Sequence, residues 1–266
     1  MIDFHNHVLP NVDDGPKTIK ESILMLQSAK EQGIKAIVNT VHFQHPKMEG
    51  KNTDQDFLYN KVKELTIEAK ENDINIKIHL GYEVFYLPNL VEILNNPLAT
   101  LGNNKYMLVE FHNNIYPTGY EEEFYNLQLN GVTPIIAHPE RYTFIQNDID
   151  ILAKWKDRGY IIQIDGGSII GKFGKRTQII AEQIVKNNLF DIIGSDAHNS
   201  KKRNFCLKDS YKKIEQFKNT DYIMMLKNNL DKILNGEDVL NEEYSKINKS
   251  RINKFFSKIF KQNEDI

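Results

Sequence analysis

MIDFHNH, residues 1–7, and DIIGSDAH, residues 191–198, decide how this chain is read, because each is a short apolar run that ends on metal-ligating side chains. His5 and His7 close the first run, and Asp196 and His198 the second. Between them, similar runs end on His42 after Ala36-Ile37-Val38, on Glu83 after Ile76-Lys77-Ile78, on Glu110 after Met107-Leu108-Val109, and on His138 after Ile135-Ile136-Ala137. Side chains alternate faces along a strand, so HxH and DxH each present two ligands to one side. In a barrel of parallel strands the C-terminal strand ends converge on one mouth, where chemistry collects. That many nitrogen and oxygen ligands exceed the needs of one ion, and the pattern implies a multinuclear metal hydrolase.

The chain around these runs alternates strand and helix. Strands are expected at 36–41, 74–80, 106–111, 133–137, 160–164 and 191–194 after the first. Helices are expected over 18–32, 54–71, 120–129, 148–156, 175–187, 207–218 and 222–234. Thr18-x-x-Glu21 forms a capping box and Gly33 a stop. Phe57, Leu58, Val62, Leu65 and Ala69 make one apolar side of the second helix. Such alternation implies parallel pairing with right-handed crossovers. Seven units predict an α/β fold, a distorted (β/α)7 TIM-like barrel over residues 1–240, with a trinuclear metal site at the C-terminal strand ends.

Bulk properties exclude other classes. The 266 residues carry a net charge of −2, which gives no pull toward nucleic acid. With an acidic residue and two histidines among the first seven positions, no signal peptide is expected there. No apolar run approaches the roughly 20 residues that cross a bilayer, so a cytoplasmic setting is expected. Cys206 is the single cysteine and is followed by Leu207-Lys208-Asp209-Ser210-Tyr211-Lys212, without the arginine or glycine of a phosphate-cradling thiolate loop. It reads as structural. The tail, residues 241–266, differs from the rest. From Lys246 to Lys261 it is basic without an acid, and Ile252, Phe255, Phe256, Ile259 and Phe260 recur at helical spacing. The favoured reading is a terminal helix packed on the barrel; the other is peripheral contact with an anionic membrane.

The ligand types narrow the metal. With no thiolate among them, closed structural zinc and iron–sulfur sites are excluded. Imidazoles mixed with carboxylates suit Mn²⁺, Fe²⁺ or catalytic Zn²⁺. A carboxylate such as Glu110 is suited to bridge two ions about 3.5–4 Å apart, with an activated water between them. Asp14 is expected as a further ligand from the loop over 10–17, ahead of Asp13, the alternative being that Asp13-Asp14-Gly15 is a plain turn. Arg141 and Arg203 lie in mouth loops, and guanidinium matches phosphoryl oxygens bidentately. Two of them beside a metal cluster point to a phosphate ester. Glu140 is placed to orient His138 or Arg141. His45 and His112 fall in mouth loops, whereas His79 reads as core.

Together these residues resemble the polymerase and histidinol phosphatase (PHP) superfamily, and within it the branch of bacterial capsule-type tyrosine-protein phosphatases. The resemblance rests on Asp3-Phe4-His5-Asn6-His7 with Leu9-Pro10 and Asp13-Asp14-Gly15, then Thr40-Val41-His42, Gly81-Tyr82-Glu83, Val109-Glu110-Phe111, Ala137-His138-Pro139-Glu140-Arg141 and Gly194-Ser195-Asp196-Ala197-His198. It implies a three-metal, usually manganese-dependent centre ligated by His5, His7, His42, Glu83, Glu110, His138, Asp196 and His198, with Arg141 and Arg203 as phosphate binders. It also implies hydrolysis of phosphotyrosine on a protein, typically the tail of an autophosphorylating membrane-associated kinase that controls capsule or exopolysaccharide export. The reaction expected is in-line attack by a metal-held hydroxide on a phenyl phosphate, whose leaving phenolate has a pKa near 10 and needs little protonation. Phe43, Tyr86, Tyr116 and Tyr142 are candidates to pack on the phenyl ring.

The loop Phe43-Gln44-His45-Pro46-Lys47 and His112 depart from the branch's pattern and bear on substrate preference. Competing readings are a phosphoesterase for a small phosphomonoester such as histidinol phosphate, and a non-catalytic, metal-dependent phosphotyrosine-binding regulator. An amidohydrolase also opens with HxH but relies on a bridging lysine at strand four, where this chain has Glu110.

Overall fold

The strand β4 (Tyr106–Glu110) shows how the molecule is laid out. Tyr106 and Leu108 enter an apolar cluster inside the barrel, while Met107 and Val109 enter the layer beneath the helices. Continuing the alternation, Glu110 lies on the interior side, one step beyond Leu108. The same period places Val38 inside and Ile37 and Val41 outside on β2 (Ala36–Phe43), and Ile135 and Ala137 inside with Ile136 outside on β5 (Thr133–Ala137). The computed structural model describes residues 1–48, 53–239 and 243–244.

With β1 (Ile2–Asn6), β3 (Lys77–Phe85), β6 (Ile161–Asp165) and β7 (Ile192–Gly194), the strands form one parallel sheet in the order β1-β2-β3-β4-β5-β6-β7. The sheet curls until its edges meet at the C-terminal end. There Asn6 bridges Ala197, the His7 N–H donates to the Ala197 carbonyl at 2.8 Å, and the Asp196 N–H donates to the His5 carbonyl at 2.7 Å. Gly194 permits this approach, because a Cβ there would lie 2.5 Å from the His5 Cβ. The other end is plugged by apolar side chains. Leu101, Leu230 and Ile233 pack into the interior cluster with Phe4 and Ile192. The imidazoles and carboxylates of the candidate site gather at the opposite end, the mouth. The expected seven-unit barrel is the observed one.

The helices are α1 (Ile19–Glu31), α2 (Gln55–Glu71), α3 (Tyr120–Leu129), α4 (Thr143–Asn147), α5 (Asp150–Asp157), α6 (Gly166–Ile169), α7 (Lys175–Lys186), α8 (Leu207–Ile214) and α9 (Thr220–Leu234). Thr18 caps α1 by accepting the Glu21 N–H, and Asp54 caps α2 by accepting that of Phe57. The α2 face buries Leu58, Leu65 and Ala69, as its spacing predicts. Against expectation, β3 starts at Lys77 and runs through Glu83 to Phe85, paired along β2. The short helices α4 and α6 also escape the periodic pattern, being too brief to show a full apolar face.

Among the described residues no helix is long and apolar enough to cross a membrane. Cys206 is buried and its thiol is pushed up to about 12 by that burial, in keeping with a structural role. The basic stretch 246–261 lies outside the described residues.

Candidate metal centre

Five imidazoles and their acids meet at the mouth. His5 and His7 leave the end of β1 fully buried, with their Nε2 atoms 3.3 Å apart. Both face Glu83 Oε2, at 3.1 and 3.2 Å, and Asp196 Oδ1, at 3.4 and 3.5 Å. His42, from β2, brings Nδ1 to 3.2 Å from the same Glu83 oxygen and Nε2 to 3.4 Å from Asp14 Oδ1. His138 Nε2 lies 3.0 Å from Glu83 Oε1 and 3.8 Å from Glu110 Oε1. His198 Nε2 lies 3.1 Å from Asp14 Oδ1, opposite His42. All nine residues singled out as ligands thus converge. They fall into overlapping groups: His7, Asp14, His42 and His198; His5, His7 and Asp196; His5, Glu83 and His138; His42, Glu83 and Glu110. Within each group the ligand atoms lie within 4.8 Å of one another.

Glu83, rather than Glu110, occupies the middle. Its two oxygens face four imidazoles, which makes it a second carboxylate suited to bridge beside Glu110, whose own oxygens lie 3.7 Å from His42 Nδ1 and 3.8 Å from His138 Nε2. Glu110 sits to one side, with Oε2 buried and without a hydrogen-bond partner. The alternation argument holds for β1 but not for the last pair. Asp196 and His198 lie beyond the end of β7, and Asp196 has φ +47°. His138, just past β5, has φ +32°. At both points a left-handed residue, not strand pleating, turns the chain into the mouth, a conformation that costs about 1–3 kcal/mol and collects at working sites.

The titration pattern follows from this crowding. Burial opposes protonation of His5, but the Glu83 and Asp196 carboxylates outweigh it and lift His5 to about 9. Glu83 and Asp196 are in turn held well below the usual carboxylate range despite burial. Burial and the neighbouring Glu83 push Glu110 up to about 7, and burial with the nearby Arg141 takes His138 down to about 4. Protons on imidazole here neutralise buried acids that cations would neutralise equally well, and binding them would release protons. The donor set, imidazole and carboxylate without thiolate, fits Mn²⁺, Fe²⁺ or Zn²⁺.

A further layer aims the imidazoles. Asp13 Oδ2 accepts from His7 Nδ1 at 2.8 Å and from the His42 N–H at 3.3 Å, while its Oδ1 accepts from the Gly15 N–H at 3.0 Å. Asp14 reaches the cluster and Asp13 stands behind it. His5 Nδ1 pairs with Gln163 Oε1 at 3.0 Å. Gln163 and Asp165 were legible: they share the interior side of β6 with Ile161, polar residues at alternate places in an apolar strand.

The arginines stand on the same rim. Arg141 Nη1 and Arg203 Nη2 both donate to Asp196 Oδ2, at 2.5 and 2.6 Å, and Arg141 also approaches Asp165 Oδ2 at 3.5 Å. Arg203 is brought back by a tight loop in which its carbonyl accepts from the His198 and Asn199 N–H groups. His45, Lys47 and Asn113 line the cavity beside them.

Other expectations are corrected. Glu140 does not hold His138, whose Nδ1 is buried without a hydrogen-bond partner, and instead accepts the Asp165 N–H at 3.0 Å. His112 is exposed, its Nδ1 accepting the Asn114 N–H. His79 is half-buried rather than core. The Tyr142 hydroxyl is buried between the Ala137 carbonyl and the Phe111 N–H, and Phe43 stacks on Tyr82. Neither these rings nor Tyr86 and Tyr116 line the cavity.

A family described as capsular polysaccharide synthesis, CpsB/CapC, matches residues 1–235. The chain belongs to the CpsB/CapC family. Among CpsB/CapC relatives, a putative tyrosine-protein phosphatase CapC of Staphylococcus aureus is 34% identical over 212 residues, 79% of this chain and 82% of its own. Tyrosine-protein phosphatase YwqE of Bacillus subtilis (strain 168) is 32% identical over 257 residues, 96% of this chain and 100% of its own. A crystal structure reported for YwqE from Bacillus subtilis and CpsB from Streptococcus pneumoniae, called metal-dependent tyrosine phosphatases, superposes with a TM-score of 0.87 at 30% identity, covering 93% of this chain and 100% of that one.

Proposed function

We propose that this CpsB/CapC chain is a metal-dependent protein-tyrosine phosphatase. In this reading His5, His7, Asp14, His42, Glu83, Glu110, His138, Asp196 and His198 hold up to three ions, manganese first among them, and Arg141 and Arg203 bind the phosphoryl group. The observation that carries it is the meeting of two guanidiniums on Asp196 Oδ2 at the rim of the imidazole–carboxylate cluster. Cation ligands and phosphate ligands then share one residue, which fits a substrate whose phosphoryl oxygens touch both.

When bound, the metals supply Lewis-acid polarisation and an activated water. The chain's own part is positional and electrostatic. Arg141 and Arg203 offer forked N–H donors to the non-bridging oxygens, where charge is neutralised as the phosphoryl group moves. Asp13 and Gln163 fix the ring orientation of His7 and His5. No protonated acid is needed for the leaving oxygen, because a phenolate departs with a pKa near 10. The relatives' activity supports a phosphotyrosyl protein as substrate, and their family a setting in capsular polysaccharide synthesis; to this we add an autophosphorylating tyrosine kinase as partner, capsule or exopolysaccharide export as the process and the cytoplasm as the place of reaction.

Phosphate release from a phosphotyrosyl peptide, from histidinol phosphate and from a single-stranded oligonucleotide, with Mn²⁺ and after chelation, tests this. Metal-dependent turnover favouring the peptide is expected. Preference for histidinol phosphate would replace the substrate, and tight peptide binding without turnover in Mn²⁺ would make the chain a regulator.

A further inference from the structure

Phe173 belongs to neither the cluster nor the cavity wall, yet both arginines lie against it. The Arg141 guanidinium carbon is 4.8 Å from its ring centroid and that of Arg203 is 5.7 Å. Both distances are within the roughly 6 Å at which a cation is attracted by an aromatic face. The ring is carried by the turn after α6, between Gly171 at φ +85° and Gly174 at φ +91°. The half-buried ring packs closely on α6, where a Cβ at Gly167 would stand 2.8 Å from the Phe173 Cε2. The turn is anchored from below. Asp165 Oδ1 accepts the Gly167 N–H at 2.6 Å, and the Lys172 N–H donates to the Gly167 carbonyl at 2.8 Å.

Two like charges are crowded here on one carboxylate oxygen, Asp196 Oδ2. If Asp196 also serves a metal, its hold on them weakens, and long side chains that are 17% and 30% exposed would be free to swing outward. We propose that Phe173 is a positioning residue: its ring is a platform that keeps both guanidiniums aimed at the phosphoryl group. This rests on the reading of Arg141 and Arg203 as phosphate binders. The ring faces the arginines and not the cavity, so it acts through them rather than on substrate.

The test compares F173L, F173W and F173Y in Mn²⁺-loaded full-length protein. Binding of inorganic phosphate, kcat and KM for a phosphotyrosyl peptide, metal content and melting temperature are measured on each. F173L keeps the apolar bulk but loses the aromatic face. It should weaken phosphate binding and lower kcat/KM by about tenfold, the scale of two cation–π contacts, with metal content and melting temperature held. F173W and F173Y should recover most of that loss. Wild-type phosphate binding in F173L overturns the proposal, as does an F173W no better than F173L with all variants folded and loaded. If the wild-type protein binds phosphate, F173L weakens it and no variant turns over the peptide, the platform stands and the phosphatase reading falls.

Discussion

Replacing Asp13 by Asn removes one charge and almost no volume, yet it should loosen the metal centre. Asp13 accepts three N–H groups: His7 Nδ1 at 2.8 Å and the His42 backbone at 3.3 Å on Oδ2, and the Gly15 backbone at 3.0 Å on Oδ1. Its carboxyl is held below the ordinary range, burial being outweighed by His7. It is therefore ionised and acceptor-only. An asparagine has one acceptor oxygen. If that oxygen faces His7, the amide NH₂ confronts the Gly15 N–H; if it faces Gly15, two donors confront each other at His7. Either orientation leaves a buried donor unpaired or turns the His7 ring and its Nε2 away from Glu83 and Asp196. Loss of such a supporting carboxylate costs about 10–100-fold in metal affinity, or about 1.4–2.8 kcal/mol. Titration of metal-free wild type and D13N with Mn²⁺ against a competing chelator reads this directly, with circular dichroism to confirm folding. A folded D13N that binds Mn²⁺ like wild type would refute the orienting role.

Three further outcomes follow from the geometry. R141A should lower turnover of a phosphotyrosyl peptide by about 10²–10³, the scale of losing one preorganised donor, with metal content by elemental analysis unchanged; metal loss instead would move Arg141 from phosphate to ligand support. In metal-free protein, against the effect of burial, the Glu83 and Asp196 carboxylates lift His5 from 6.5 to about 9, and burial with the nearby Asp196 lifts Asp165 from 3.8 to about 8, so both bind protons more tightly folded than unfolded. The folded state then holds the extra protons between pH 7 and 9, and stability falls as pH rises, by on the order of 2–3 kcal/mol. His138, at about 4, adds no slope there. Thermal melts from pH 7 to 9 should show this fall, and Mn²⁺ should flatten it; a rising melting temperature in metal-free protein contradicts it. At the closed end of the barrel, Lys156 pairs with buried Asp191, whose other oxygen accepts the Ile162 N–H at 2.9 Å. K156M strands that charge and should cost about 3–5 kcal/mol in denaturant unfolding, with turnover of the folded fraction retained.

The sequence by itself determined the class of fold and which imidazoles and carboxylates the strand ends bring toward one mouth. Strand runs of fixed period ending on His5, His42 or Glu110 carry their own direction, because pleating is local and each run names the side chain that its end delivers. The polar residues at 163 and 165 of β6 were equally readable by that period. Tertiary structure decided how the ligands are shared. Glu83 is central because β3 lies beside β2 along its whole length, a pairing no local pattern states. Asp196 and His138 enter through left-handed turns, which sequence does not mark for residues other than glycine. Asp13 stands behind His7 while its neighbour Asp14 faces His42 and His198, a division set by how the first loop crosses the mouth. Phe173 meets two arginines 32 and 30 residues away in the chain only because β6, its following turn and the loop after β7 close on the same rim. Local periodicity fixes what each strand end offers; contacts between distant segments, paid for by burial of the whole barrel, fix which of those offers meet.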